Sequence, residues 1–91
     1  MDTNLSLFNQ INSLSYWLLL ESNYRCSIIL NADEDSYFIT LKKGSEILYT
    51  REIINFSKKN KSYLKFELAG IVNNLLYIKE NVTSNRAQRS A

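Results

Sequence analysis

Ser62-Tyr63-Leu64-Lys65-Phe66-Glu67-Leu68-Ala69, read as SYLKFELA, obeys two periodicities at once. Leu64, Phe66 and Leu68 alternate with Lys65 and Glu67, as in a half-buried strand. Leu64 and Leu68 also open a series that continues with Ile71, Leu75 and Ile78 at spacings of four, three, four and three, joined by Val72. That series is one stripe of an α-helix. As a strand, 62–69 would pair with Arg51 to Phe56 through a turn at Lys58-Lys59-Asn60-Lys61, giving four strands and a shorter C-terminal helix. As a helix, the sheet stops at three strands. The helical stripe runs past Ala69 to Ile78 without a break, so a helix over 62–81 is expected, with 82–91 a flexible polar tail carrying Arg86 and Arg89.

Upstream lie three strand-like runs, Tyr24 to Asn31, Tyr37 to Lys42 and Ile47 to Ile54, rich in Ile, Tyr and Thr. Ala32-Asp33-Glu34-Asp35-Ser36 and a glycine-bearing loop, Lys42-Lys43-Gly44, separate them, so an antiparallel meander is expected. Alternation assigns Tyr24, Cys26, Ile28, Leu30, Tyr37, Ile39, Leu41, Ile47, Tyr49 and Ile53 to the core face. Leu30 is expected opposite Tyr37 and Ile28 opposite Ile39. A three-residue second loop would then set Ile39 against Ile47. The same registers line up Ile29, Phe38 and Leu48 as an apolar band on the other face, among Arg25, Ser27, Thr40, Lys42, Thr50 and Glu52.

Before the strands, Leu7, Ile11, Leu14 and Leu18 mark another helical stripe, widened by Phe8, over about Asn4 to Glu21. Thr3 or Asn4 is expected to cap its start and Ser22-Asn23 to end it. The expected fold is α+β: one small domain over 1–81, helix, three-stranded antiparallel meander, helix, with both helices on one face of the sheet.

Composition excludes much chemistry. The 91 residues are 45% apolar, with six Tyr, four Phe and one Trp, which suits one globular domain. Eleven basic against nine acidic side chains leave a net charge of +2, so any electrostatic function must be local. With no histidine, the commonest general base and metal ligand are missing. The single cysteine, Cys26, forms no internal disulfide, falls on the core face and points to a reducing, cytoplasmic setting. Asp33-Glu34-Asp35 lacks the ligand spacing and glycine of a calcium loop and reads as a solvated turn. Met1-Asp2-Thr3-Asn4 has no basic stretch and the longest apolar run is Tyr16 to Leu20, so no signal peptide or membrane span is expected. No enzyme, metal or cofactor is expected.

Two surface features remain. Lys58, Lys59, Lys61 and Lys65 crowd the start of the last helix, against its dipole, where helix amides and lysines together can hold phosphate. The layout resembles the double-stranded-RNA-binding domain, and Ser57-Lys58-Lys59 is similar to the first part of that family's basic motif. Asn60-Lys61-Ser62 then departs from its usual alanine and lysine, and the proline- and histidine-bearing first hairpin loop is absent. The resemblance implies a nucleic-acid-binding module using the four lysines. The topology is also similar to that of small phage-encoded inhibitors, some anti-CRISPR proteins among them.

The second feature is apolar residues on the outside: Tyr16 and Leu20 on the first helix, with Trp17 and Leu19 at its flanks; Ile29, Phe38 and Leu48 on the sheet; Tyr63, Phe66 and Tyr77 on the last helix. Three such sets in so short a chain point to an interface. The leading expectation is a non-enzymatic interaction protein, a homodimer or a small inhibitor or adaptor docking on a larger protein; nucleic acid is the alternative partner.

Overall fold

The computed structural model describes residues 2–90, and side chains over 2–85. Its elements are α1 (Thr3–Glu21), β1 (Tyr24–Asn31), β2 (Ser36–Lys43), β3 (Glu46–Ile54), a 3-10 turn (Phe56–Lys58) and α2 (Lys61–Ser90). The three strands form one antiparallel sheet in the order β1-β2-β3. Residues 62–69 are therefore helix, and the four-strand alternative does not form.

Each helix is started by a side chain. Asp2 caps α1, its Oδ1 accepting from the Asn4 N–H at 2.9 Å, one residue earlier than expected. Its negative charge also suits a helix N-terminus. Asn60 caps α2, its Oδ1 accepting from the Ser62 N–H at 2.8 Å and the Tyr63 N–H at 3.4 Å. α1 does not end in a left-handed residue. Ser22 is extended, and its backbone N–H and hydroxyl both donate to the Leu18 carbonyl, at 3.1 and 2.7 Å.

With three strands between them, the helices run side by side in the same direction. Asn4 Nδ2 donates to the Lys61 carbonyl at 3.2 Å near their starts, and Lys79 Nζ lies 5.1 Å from the Trp17 ring centre further along. α2 overshoots α1, with Val82 and Asn85 beside Leu20, Ser22, Asn23 and Tyr24 around an open hollow. The segment expected as a tail after Asn81 continues as helix to Ser90, and the side chains of Arg86 and Arg89 lie outside the described residues.

Both helices cover the same sheet face. Ile11, Leu14 and Leu18 from α1 and Leu68, Ile71, Val72 and Leu75 from α2 are buried with Tyr37, Ile39, Leu41 and Ile53. At one end Tyr37 packs with Phe8 and Phe56, ring centres 5.0 and 5.3 Å away. Burying such a set of aliphatic and aromatic side chains, at about 1.5–3 kcal/mol each, is the main force holding the layers together.

The first hairpin has the expected register, with Leu30 opposite Tyr37 and Ile28 opposite Ile39. The second does not. Its turn is the two residues Gly44 and Ser45, with Gly44 at φ 65°, so Lys43 pairs with Glu46 and Ile39 faces Arg51. Glycine first in a two-residue hairpin loop supplies the positive φ that lets strand twist continue through the turn. A register shift follows at Leu41/Lys42, where Leu41 pairs with Tyr49 and Lys42 with Ile47, leaving Leu48 as the extra residue of a β-bulge. Opposite Lys42, Ile47 leaves the core face and is exposed. Leu30, also expected inside, is exposed at the sheet edge.

Candidate interaction interface

The three apolar sets are placed differently by the fold. On α1, Tyr16 and Leu20 are exposed one turn apart, joined on the outer side by Leu5, which sequence reasoning missed. Leu19 is exposed as well, whereas Trp17 packs against the core margin beneath Lys79. The division within Tyr16 to Leu20 is thus the one the helical stripe implies: Leu18 in, Tyr16 and Leu20 out.

On the open sheet face the expected band is broken. Ile29 stands opposite Phe38, but Phe38 faces Glu52 on β3, not Leu48. Leu48 lies four residues from Glu52, about 13 Å along the strand at ~3.3 Å per residue. A polar rung, Ser27-Thr40-Thr50, separates the Ile29-Phe38 pair from the Ile47-Leu48 bulge. Ile54, exposed opposite Ser36, extends the first group. Two small apolar ends with hydroxyls between them leave no continuous surface there.

On α2 the aromatic residues share one outer side, Tyr63 and Phe66 near its start and Tyr77 about three turns on, with Gly70 and Asn73 between them. Phe66 is 76% exposed, Tyr77 64% and Tyr63 45%. Tyr63 is partly engaged: Lys59 Nζ sits 5.3 Å from its ring centre, and its hydroxyl supports Glu67. Between Phe66 and Tyr77 lies Gly70, mid-helix, with open space where a Cβ would stand. Glycine inside a helix costs about 1 kcal/mol relative to alanine. Neither a turn nor close packing within the domain requires it there, and this signal was overlooked in the sequence.

The lysine cluster has a mixed electrostatic setting. Lys58, Lys61 and Lys65 are exposed and Lys59 is half-buried along Tyr63. Their end of the molecule also carries Asp2, at the adjoining start of α1, and Asp35, whose carboxylate accepts from the Ser57 N–H and Oγ–H at 2.9 and 2.8 Å. Asp2 already takes the Asn4 amide and Asn60 the Ser62 and Tyr63 amides, so capping side chains stand at the helix starts beside these lysines. Arg25, Lys42 and Lys43 lie at the opposite end of the sheet from Asp35 and Ser57.

Other chemistry is sparse. Burial raises the pKa of the Cys26 thiol, against a hydrogen bond with Ser15, so the thiol stays protonated at neutral pH. The hollow between α2 and the α1 C-terminus carries Glu21 and Lys43 as its charged groups. Among the described residues there is no cluster of three or more metal-ligating side chains, and no helix is long and apolar enough to cross a membrane.

Compared with protein-family models, with curated proteins and with solved structures, the chain matches none. The class that the fold defines is a small α+β domain with two parallel helices on one face of a three-stranded meander.

Proposed function

We infer that the protein is a non-enzymatic interaction module that works inside the cell and docks on another protein chain through the outer face of α2. The observation that carries this reading is the pair of exposed aromatic rings Phe66 and Tyr77 on one side of a long helix whose opposite side is buried in the core. Exposed aromatic side chains are costly to leave in water and contribute most when they enter a partner's pocket. The Tyr16-Leu20 face of α1, with one exposed aromatic ring, is the secondary surface of this reading. The nucleic-acid alternative through Lys58, Lys59, Lys61 and Lys65 has less behind it, because acidic side chains share that end and both helix starts are capped.

Two assays separate these readings. Docking through α2 predicts that immobilised wild-type protein retains a protein chain, itself or another, which the Phe66→Asp variant releases while keeping its circular dichroism spectrum. Retention of nucleic acid that weakens steeply with salt and disappears on Lys58→Glu with Lys59→Glu would favour the lysines instead. A wild-type chain that retains no protein contradicts the docking reading.

A further inference from the structure

We propose that the chain seated on α2 is the α2 of a second copy, running antiparallel across a two-fold axis between Gly70 and Asn73. The proposal rests on the docking reading above and names its partner. Tyr63, Phe66, Gly70, Asn73, Tyr77, Glu80 and Ser84 succeed one another at intervals of three, four, three, four, three and four. The positions follow the heptad spacing of a helix-pair seam, with Tyr63, Phe66 and Tyr77 as its large apolar members. It lies on the side of α2 away from Leu64, Leu68, Ile71, Leu75 and Ile78, so the helix carries a second stripe that its own core does not use.

The two halves of this outer stripe complement each other when one is turned end for end. In the antiparallel arrangement Phe66 meets the second copy's Tyr77, Gly70 meets its Asn73, and Tyr63 meets its Glu80, each layer occurring twice. The aromatic pair supplies the apolar contact at both ends of the centre. Gly70, having no side chain, makes room for Asn73, and a single polar residue at such a position fixes register in helix pairs. Lys59 lies over the Tyr63 ring, which brings its ammonium to the layer where Glu80 of the other copy arrives. A parallel pair would set Lys59 against its own copy and Glu80 against its own copy, whereas the antiparallel one brings Lys59 and Glu80 into the same layer. The contact is isologous and closes at two chains. The exposed parts of Tyr63, Phe66 and Tyr77 offer roughly 400 Å² per copy, taking ~200 Å² for a whole aromatic side chain. That is about half of the ~800 Å² each partner contributes to a standard interface, with Leu76 and the flanking stems to add to it.

The test is sedimentation equilibrium of wild type, Phe66→Asp, Lys59→Glu, Glu80→Lys and the Lys59→Glu/Glu80→Lys double variant. The expected result is a wild-type dimer, a dissociation constant raised at least about a hundredfold by Phe66→Asp, and a few-fold weakening by each charge reversal that the double variant restores. Failure to restore overturns the antiparallel register. A dimer indifferent to Phe66→Asp overturns both the pairing and docking through α2. A monomeric wild type overturns self-pairing. If that monomer still captures another protein in a Phe66-dependent way, docking through α2 stands without it; if it captures nothing, both fail.

Discussion

Arg51 on β3 and Glu67 on α2 form a two-pronged ion pair, Arg51 Nε donating to Glu67 Oε2 at 2.6 Å and Nη2 lying 2.5 Å from Oε1. The fork fixes the flank of α2 against the sheet edge and leaves Phe66, the preceding residue, facing outward. The hydrogen bond from Arg51 is the main cause that holds the Glu67 carboxyl below its ordinary pKa, against the opposing effect of desolvation. A carboxylate with a lowered folded-state pKa adds stability above the unfolded value, about 4.3 for Glu, and loses it as pH falls through the folded one. Urea unfolding of wild type and Glu67→Gln should therefore differ by about 1 kcal/mol or less at neutral pH, Arg51 being partly exposed. The gap should close in acid; a gap independent of pH contradicts the assignment.

Asp35 pins the first hairpin to the approach of α2. It has φ 52° and holds Ser57 through two hydrogen bonds, while its own carbonyl accepts from the Phe56 N–H at 2.8 Å. Asp35→Ala removes the carboxylate and keeps the left-handed backbone that alanine tolerates poorly, so a loss of roughly 1–3 kcal/mol is expected in thermal unfolding. Ser57→Ala, which removes one of the two bonds, should cost less. Equal losses would mean that the Ser57 hydroxyl bond accounts for the whole effect and the left-handed backbone at Asp35 for none of it.

Tyr37 is fully buried, and its hydroxyl has no hydrogen-bond partner among the described residues. Desolvation pushes its pKa up to about 12, with a smaller contribution from Cys26. A buried hydroxyl without a partner costs stability, so Tyr37→Phe should leave the melting temperature unchanged or raise it. The ring contacts with Phe8 and Phe56 would persist. A fall of several degrees would reveal a bond that the hydroxyl makes in solution.

Gly70 separates the needs of the fold itself from those of the proposed pairing. In a dilute, monomeric sample Gly70→Ala should stabilise the fold by about 1 kcal/mol, since the new methyl group enters open space in a helix. Calorimetry under dissociating conditions reads this directly. Destabilisation there would show that the glycine serves the domain's own packing.

Much of this fold is legible in the residues, for identifiable reasons. The stripe from Leu64 to Ile78 outweighs the short alternation in SYLKFELA because helix packing needs several turns, whereas Phe66 simply faces water. The first hairpin register follows from matching Ile28 with Ile39 and Leu30 with Tyr37. The second does not, because a β-bulge at Leu48 leaves no mark in an alternating pattern and Gly44 fits loops of two residues as well as three. That one error joined Leu48 to Ile29 and Phe38 and lent the sheet face a continuity it lacks. Tyr16, Leu20, Phe66 and Tyr77 are readable as outward because helical angles are set by spacing alone. The meaning of Gly70 emerges only once the space around it is known.

The most direct test of the central claim is an amide-resolved NMR dilution series on the full chain. Self-pairing through the outer face of α2 predicts concentration-dependent shifts concentrated at Tyr63, Phe66, Gly70, Asn73, Tyr77 and Glu80, abolished by Phe66→Asp. Shifts centred on Ile29 and Phe38, or on Tyr16 and Leu20, or a spectrum unchanged over the whole concentration range, would contradict it.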